Sequence, residues 1–114
     1  MRSLVPPFDR LRVETLSFLL YYLYMWWLYI LLCDNKSYYI GITHNLNQRL
    51  LSHKSGSNIA TKEYTDIELL YHETYKTRVE AEKREKQLKG WTVAKKKALI
   101  AGDIELLKLL CKKP

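Results

Sequence analysis

The sequence predicts an α+β layer structure, and three observations carry that prediction. Two β-prone runs flank a tight turn cluster; a third such run follows a helix-like segment; and the chain beyond it reads as successive capped helices. Short antiparallel strands followed by helices pack as layers around one core. The length of 114 residues suits one domain, and 47% apolar with 12% aromatic residues is enough to fill it. Four Gly, three Pro and two Cys exclude collagen-like and disulfide-scaffold chains, and the apolar content excludes global disorder.

The elements follow in chain order. From Thr15 to Cys33 there is no charged residue, and Leu16 to Leu32 approaches membrane-spanning length behind Arg10 and Arg12. A signal peptide would need small residues at its cleavage site, where Cys33-Asp34-Asn35 stand instead. Tyrosines and two tryptophans are spread along the run, whereas membrane aromatics collect at the two interfaces. Its second half, Trp27 to Cys33, reads as a buried strand, so membrane association is not the expected use of residues 15–33. Asp34 to Ser37 is a turn, and Tyr38 to Ile42 completes a hairpin. Asn45 to Lys54 is a helix, with Leu46, Leu50 and His53 on one stripe. A loop begins at Ser55-Gly56-Ser57-Asn58, and Ile67 to Tyr75 is the third strand. Thr77 with Glu80 forms a capping box opening a helix to Lys89, stopped by Gly90. Thr92 to Ala101 is a further helix before Gly102. Asp103 caps a last one using Ile104, Leu107 and Leu110. Residues 3–24 are left as an added helix.

Charge points to the partner. There are 19 Lys and Arg against 12 Asp and Glu, a net +7, nearly all of it beyond residue 33. Such a surplus favours a polyanion, with nucleic acid ahead of an anionic membrane. Lys83, Arg84, Lys86, Lys89, Lys95, Lys96 and Lys97 are the expected backbone-phosphate contacts, which position a nucleic acid without reading its sequence. Cys33 and Cys111 belong to no CxxC or Cys/His cluster, which argues against zinc and fits a reducing cytoplasm.

Three constellations carry potential chemistry. Gly41 in Tyr38-Tyr39-Ile40-Gly41 permits a close approach by a backbone or a phosphate. Arg49 and His53, four apart, project from one helix face. Glu85 lies in line with Ala81 and Leu88, and a carboxylate on an apolar stripe needs a cation, a donor or a metal. Each has an ordinary use as well: strand packing for Tyr39, a solvated face for Arg49 and His53, pairing with Arg84 or Lys89 for Glu85.

Taken together, Trp27-Leu28-Tyr29 and Tyr39-Ile40-Gly41 resemble the paired motif of the GIY-YIG nuclease family. The stretch from Trp26 to Leu110 is similar to its small stand-alone bacterial branch, the YhbQ-type proteins, through LYILLCDNKSYYIGIT, NLNQRLLSHKSG, LLYHE, EAEKREKQLKGW and AKKKALIAGD. The resemblance implies a three-stranded antiparallel sheet flanked by helices over residues 25–110. Residues 1–24 would then be an extension, a late addition or a mis-assigned start, and 111–114 a tail. It implies a phosphodiester hydrolase using Mg²⁺ or Mn²⁺ on DNA, structure-selective or weakly specific, suited to repair or recombination in a bacterial cytoplasm. Tyr39 would lie near the attacking water with Tyr29 beside it. Arg49 would hold the scissile phosphate, His53 would assist, and Glu85 would bind the metal. Trp27 replaces the first Gly of the motif, and no asparagine follows Glu85. The alternative is a non-catalytic nucleic-acid-binding module on the same fold.

Overall fold

A computed structural model describes Leu16, Leu19, Leu20 and residues 23–112. Its elements are β1 (Trp26–Cys33), β2 (Ser37–Thr43), α1 (Leu46–Lys54), β3 (Ile67–Tyr75), α2 (Arg78–Lys89), α3 (Val93–Ala101) and α4 (Ile104–Cys111). The strands form one antiparallel sheet in the order β2-β1-β3. The expected α+β architecture, a three-stranded antiparallel sheet flanked by helices, is the one observed.

The hairpin is tight because Asp34 and Asn35 both take positive φ, 51° and 55°, which short polar residues tolerate. The Asp34 carboxylate accepts from the backbone N–H of Thr65 at 3.0 Å and of Asp66 at 2.7 Å. This ties the hairpin turn to the start of β3. Each of α1 to α4 is capped by a side-chain oxygen that accepts a backbone N–H of the first turn: Asn45 from Gln48, Thr77 from Glu80, Thr92 from Lys95 and Asp103 from Leu106. Gly102 ends α3 in the left-handed region at φ 72°.

Because strand residues alternate, β1 feeds two separate cores. Leu28 and Ile30 point to one face, where with Ile40 they meet Leu88 of α2 and Leu99 of α3. Tyr29, Leu31 and Cys33 point to the other, where with Ile67 they meet Leu46 and Leu50 of α1 and Tyr64 of the loop before β3. Both faces of the middle strand are therefore covered, which accounts for its uninterrupted apolar run.

On the first face a carboxylate is also half-buried. Glu73 accepts hydrogen bonds from the Tyr71 and Tyr75 hydroxyls, each at 2.6 Å, and two from Arg84 at 3.0 Å. Burial alone would raise its pKa, but these donors, Arg84 foremost, hold it below the usual carboxylate value. Arg84 also lies over the Trp91 ring, 5.2 Å from its centroid.

One expectation changes, at the end of the chain. In α4 Ile104 is exposed, and only Leu107 joins the core. The expected Ile104–Leu107–Leu110 stripe is thus only partly used. At the front, Trp26–Cys33 is the middle strand of the sheet, and no helix among the described residues is long and apolar enough to cross a membrane. Leu16, Leu19, Leu20, Leu23 and Tyr24 are helical and exposed, and the remainder of the added helix over 3–24 lies outside the described residues. Leu19 and Leu23 line a groove together with Trp27, His44 and Asn45 to Asn47.

Candidate active site

The face of the sheet under α1 gathers four of the five residues expected to act. Tyr29 on β1 and Tyr39 on β2 project from the same side. Their ring centroids lie 6.2 Å apart. His53, in the last turn of α1, inserts its imidazole edge-on against both, at 5.7 Å from Tyr29 and 5.0 Å from Tyr39. Arg49 lies one turn earlier on that helix and acts electrostatically on both Tyr29 and His53. The i, i+4 spacing of Arg49 and His53 is what brings the guanidinium and the imidazole to one place.

Tyr29 is fully buried, and its hydroxyl lies 2.9 Å from His53 Nε2. Gly41 stands directly opposite Tyr29 in the antiparallel register. A Cβ on Gly41 would lie 2.5 Å from the Tyr29 hydroxyl oxygen and 2.7 Å from the ring carbon bearing it. The close approach expected at this glycine is therefore made by the Tyr29 phenol, not by a backbone or a phosphate.

The electrostatics divide the two tyrosines. Burial pushes the Tyr29 phenol far above its ordinary value, Tyr39 adds to the shift, and Arg49 opposes it. Tyr29 thus keeps its proton. Burial, with Arg49 beside it, pushes the His53 imidazolium down, so His53 is neutral at pH 7. Tyr39 is only half-buried and, unlike Tyr29, has access to solvent.

One buried partner in this group is not among the expected residues. Thr61, in the loop between α1 and β3, is fully buried, with its hydroxyl 2.6 Å from His53 Nδ1. A loop threonine eight residues from the histidine carries no periodicity that marks it. The only available hint is that a buried imidazole needs a partner on each nitrogen.

The remaining expected residues lie elsewhere. Glu85 is on α2, whose Leu88 packs against the opposite face of the sheet. As its spacing predicts, it shares a stripe with buried Ala81 and Leu88. Its side chain is 23% exposed and lies 3.6 Å from Lys89, a long contact with an exposed lysine. Among the described residues no group of three or more His, Cys, Asp or Glu is placed to hold a metal. A single, partly open carboxylate is nonetheless a donor set that suits Mg²⁺ or Mn²⁺, ions that complete their shells with water and substrate phosphate. Glu85 is thus chemically fit to hold such an ion. Lys83, Lys86, Lys89 and Lys97 are exposed, and Lys95 and Lys96 are half-buried. Arg84 differs from them: its guanidinium is engaged by Glu73, Gln87 and the Trp91 ring. Trp27, where the motif has its first Gly, shares the Tyr29 face and meets His72 edge-on at 5.4 Å.

Comparison with known proteins places the chain in a family. The model of the GIY-YIG catalytic domain family matches residues 25–98. A UPF0213 protein of Bacillus pumilus is 39% identical over 81 residues, covering 70% of this chain and 82% of the relative. A UPF0213 protein of Staphylococcus epidermidis is 38% identical over 73 residues, covering 63% of this chain and 89% of the relative. The solution NMR structure of a UPF0213 protein from Bacillus halodurans is 26% identical, with a TM-score of 0.46, covering 78% of this chain and 99% of that one.

Proposed function

We propose, from the premise that this chain belongs to the GIY-YIG family, that it is a divalent-metal-dependent DNA endonuclease. The observation that carries the reading is the convergence of Tyr29, Tyr39 and His53 on one sheet face, with Arg49 acting on the same hydroxyl and imidazole. DNA is the preferred substrate over RNA, with structure-selective or weak specificity, in a cytoplasmic repair or recombination setting.

In this reading the scissile phosphodiester lies over Tyr39 and Arg49. The Arg49 fork offers two N–H donors to the non-bridging oxygens and offsets charge that grows as a water oxygen bonds to phosphorus. Tyr39, the solvent-accessible phenol, orients that water through its hydroxyl. Tyr29 and His53 form the buried backing: Tyr29 keeps its proton, and neutral His53 lies within hydrogen-bond distance of its hydroxyl. The attacking water gives up a proton to bulk solvent on the open Tyr39 side, the bond from phosphorus to the leaving sugar oxygen breaks, and that oxygen takes up a proton from solvent. Glu85, on α2 against the opposite face of the sheet from Tyr39 and Arg49, is the residue that would hold Mg²⁺ or Mn²⁺, and such an ion would supply positive charge to a phosphate that reaches both. Exposed Lys83, Lys86, Lys89 and Lys97, with half-buried Lys95 and Lys96, would follow the flanking backbone, whereas Arg84 is already engaged.

The test uses the purified chain with duplex, single-stranded, flap and branched DNA, in Mg²⁺, Mn²⁺ or EDTA. Cleavage that requires the metal is expected. Glu85→Gln, which keeps the shape and removes the charge, should abolish it while binding persists. Arg49→Ala should slow cleavage by a hundredfold or more, from a loss of on the order of 3 kcal/mol of charge stabilisation, and added metal should not restore it. Binding without cleavage in every metal would leave the non-catalytic module as the function.

A further inference from the structure

The mechanism above leaves Thr61 unused, although it is fully buried and ends a chain of short contacts. That chain runs from the Tyr29 hydroxyl to His53 Nε2 at 2.9 Å, and from His53 Nδ1 to the Thr61 hydroxyl at 2.6 Å. Tyr29, His53 and Thr61 are all 0% exposed. Both imidazole nitrogens are therefore committed to hydroxyls out of reach of solvent. A neutral imidazole carries one N–H, so one nitrogen donates and the other accepts.

The two hydroxyls are unequal, and that inequality sets the direction. A phenol is a far stronger acid than an aliphatic alcohol, so Tyr29 is the better donor and Thr61 the better acceptor. Arg49, which can only donate, acts on the Tyr29 oxygen and favours its lone pairs remaining available to a cation. Both influences send the Tyr29 proton toward Nε2 and leave the imidazole proton on Nδ1, facing Thr61. The opposite arrangement would have His53 Nε2–H and Arg49 both donating to one phenol oxygen that still carries its own hydrogen.

We infer that Thr61 is a positioning residue that holds His53 as its Nδ1–H tautomer, with Nε2 aimed at Tyr29 as the acceptor. Thr61 does not touch the reacting phosphate. It fixes the ring through the far nitrogen, in the way a third group orients a general base. An uncharged oxygen in this role keeps His53 neutral at rest, where a carboxylate would draw the proton onto the ring.

This inference rests on the nuclease reading for its catalytic meaning, but its structural content is testable without a substrate. Long-range ¹H–¹⁵N NMR of the full chain distinguishes a bare imidazole nitrogen from a protonated one. His53 should show Nδ1 protonated and Nε2 bare at neutral pH. A spectrum with Nε2 protonated overturns the assignment in the unmutated protein, whatever any variant does. Thr61→Ser keeps the oxygen and should retain the tautomer. Thr61→Val keeps the volume, removes the oxygen, and should shift His53 toward Nε2–H or a mixture. On a cleaved DNA, Thr61→Val should lower kcat about tenfold to a hundredfold, the range seen when the outer partner of a functional histidine is lost. KM should be unchanged, and Thr61→Ser should restore the rate. A folded Thr61→Val with the wild-type tautomer shows a merely structural threonine and overturns the proposal. If no DNA is cleaved, the nuclease reading fails while the NMR result still decides the role of Thr61.

Discussion

Replacing Gly41 by alanine is the most informative single change the fold offers. The added methyl would sit 2.5 Å from the Tyr29 hydroxyl oxygen, 2.7 Å from Cζ and 3.1 Å from Cε1. Ordinary contact begins at 3.4 Å, so the phenol has to retreat by about 1 Å. It has little freedom to do so, because it is fully buried between β1 and α1 and held at 2.9 Å by His53. A retreat of that size breaks the contact with Nε2. Leaving a buried donor unsatisfied costs about 1–3 kcal/mol, and overpacking the site costs a further ~1–3 kcal/mol. Gly41→Ala should therefore destabilise the domain by about 2–6 kcal/mol and lower Tm by on the order of 10 °C or more. Thermal unfolding followed by circular dichroism measures this directly. Any cleavage activity should fall roughly a hundredfold, the usual consequence of misplacing a catalytic group by about 1 Å. The double variant Gly41→Ala/Tyr29→Leu isolates the clash: leucine removes the hydroxyl and Cζ, so the pair should cost less than the sum of its members. A Gly41→Ala protein that melts and cleaves like the wild type, or strictly additive losses in the cycle, would refute the claim that glycine is needed here for the phenol.

Other outcomes follow from the same structure. The Glu73 carboxyl is held below its ordinary value in the folded state, so its stabilisation is present above the ordinary glutamate range and lost as pH falls through the depressed value. Glu73→Gln should cost about 3–5 kcal/mol near neutrality, as expected when one partner of a buried charged pair is removed, and should flatten the acid limb of a stability–pH curve. His53 is also depressed, so its stabilisation is present above an unfolded value of about 6.5 and declines as pH drops below it. His53→Gln should remove that upper part of the acid limb, as read by urea unfolding at successive pH values. A chain beginning at Met25, where the family match starts, should fold with nearly the stability of the whole. An insoluble, unfolded product from a folded parent would show that residues 1–24 belong to the domain.

Much of this architecture is written in short-range signals. Asn45, Thr77, Thr92 and Asp103 each cap the helix that follows, because a cap depends only on a side chain and the backbone two or three residues away. The meeting of Arg49 with His53 follows from helical spacing, and the use of Glu85 on the α2 stripe follows from the same period. What was not legible depends on register and loop closure. Thr61 reaches His53 only because the loop before β3 folds back over α1, and no local pattern encodes that path. The partner of Gly41 is not marked locally, because Tyr29 comes opposite it only in the observed pairing of β1 with β2. Arg84 looked like a surface cation on a basic helix, yet its partner is Glu73 on β3. That partner left a trace, since Tyr71, Glu73 and Tyr75 alternate along a strand and must share a face.

The alternation of β1 also shapes how this protein can change over generations. Leu28 and Ile30 belong to the layer beneath α2 and α3, whereas Tyr29, between them, belongs to the hydroxyl chain under α1. Substitutions among Leu28, Ile30, Ile40 and Leu99 act on the far side of a sheet from the phenol. Drift there can retune thermal tolerance to a new habitat while the Tyr29 face is inherited intact. A gain or loss of one codon within the strand has no such freedom, since it turns every following side chain to the wrong side. The lineage of such a domain should therefore be rich in point changes on one face, poor in them on the other, and nearly free of length changes in its middle strand.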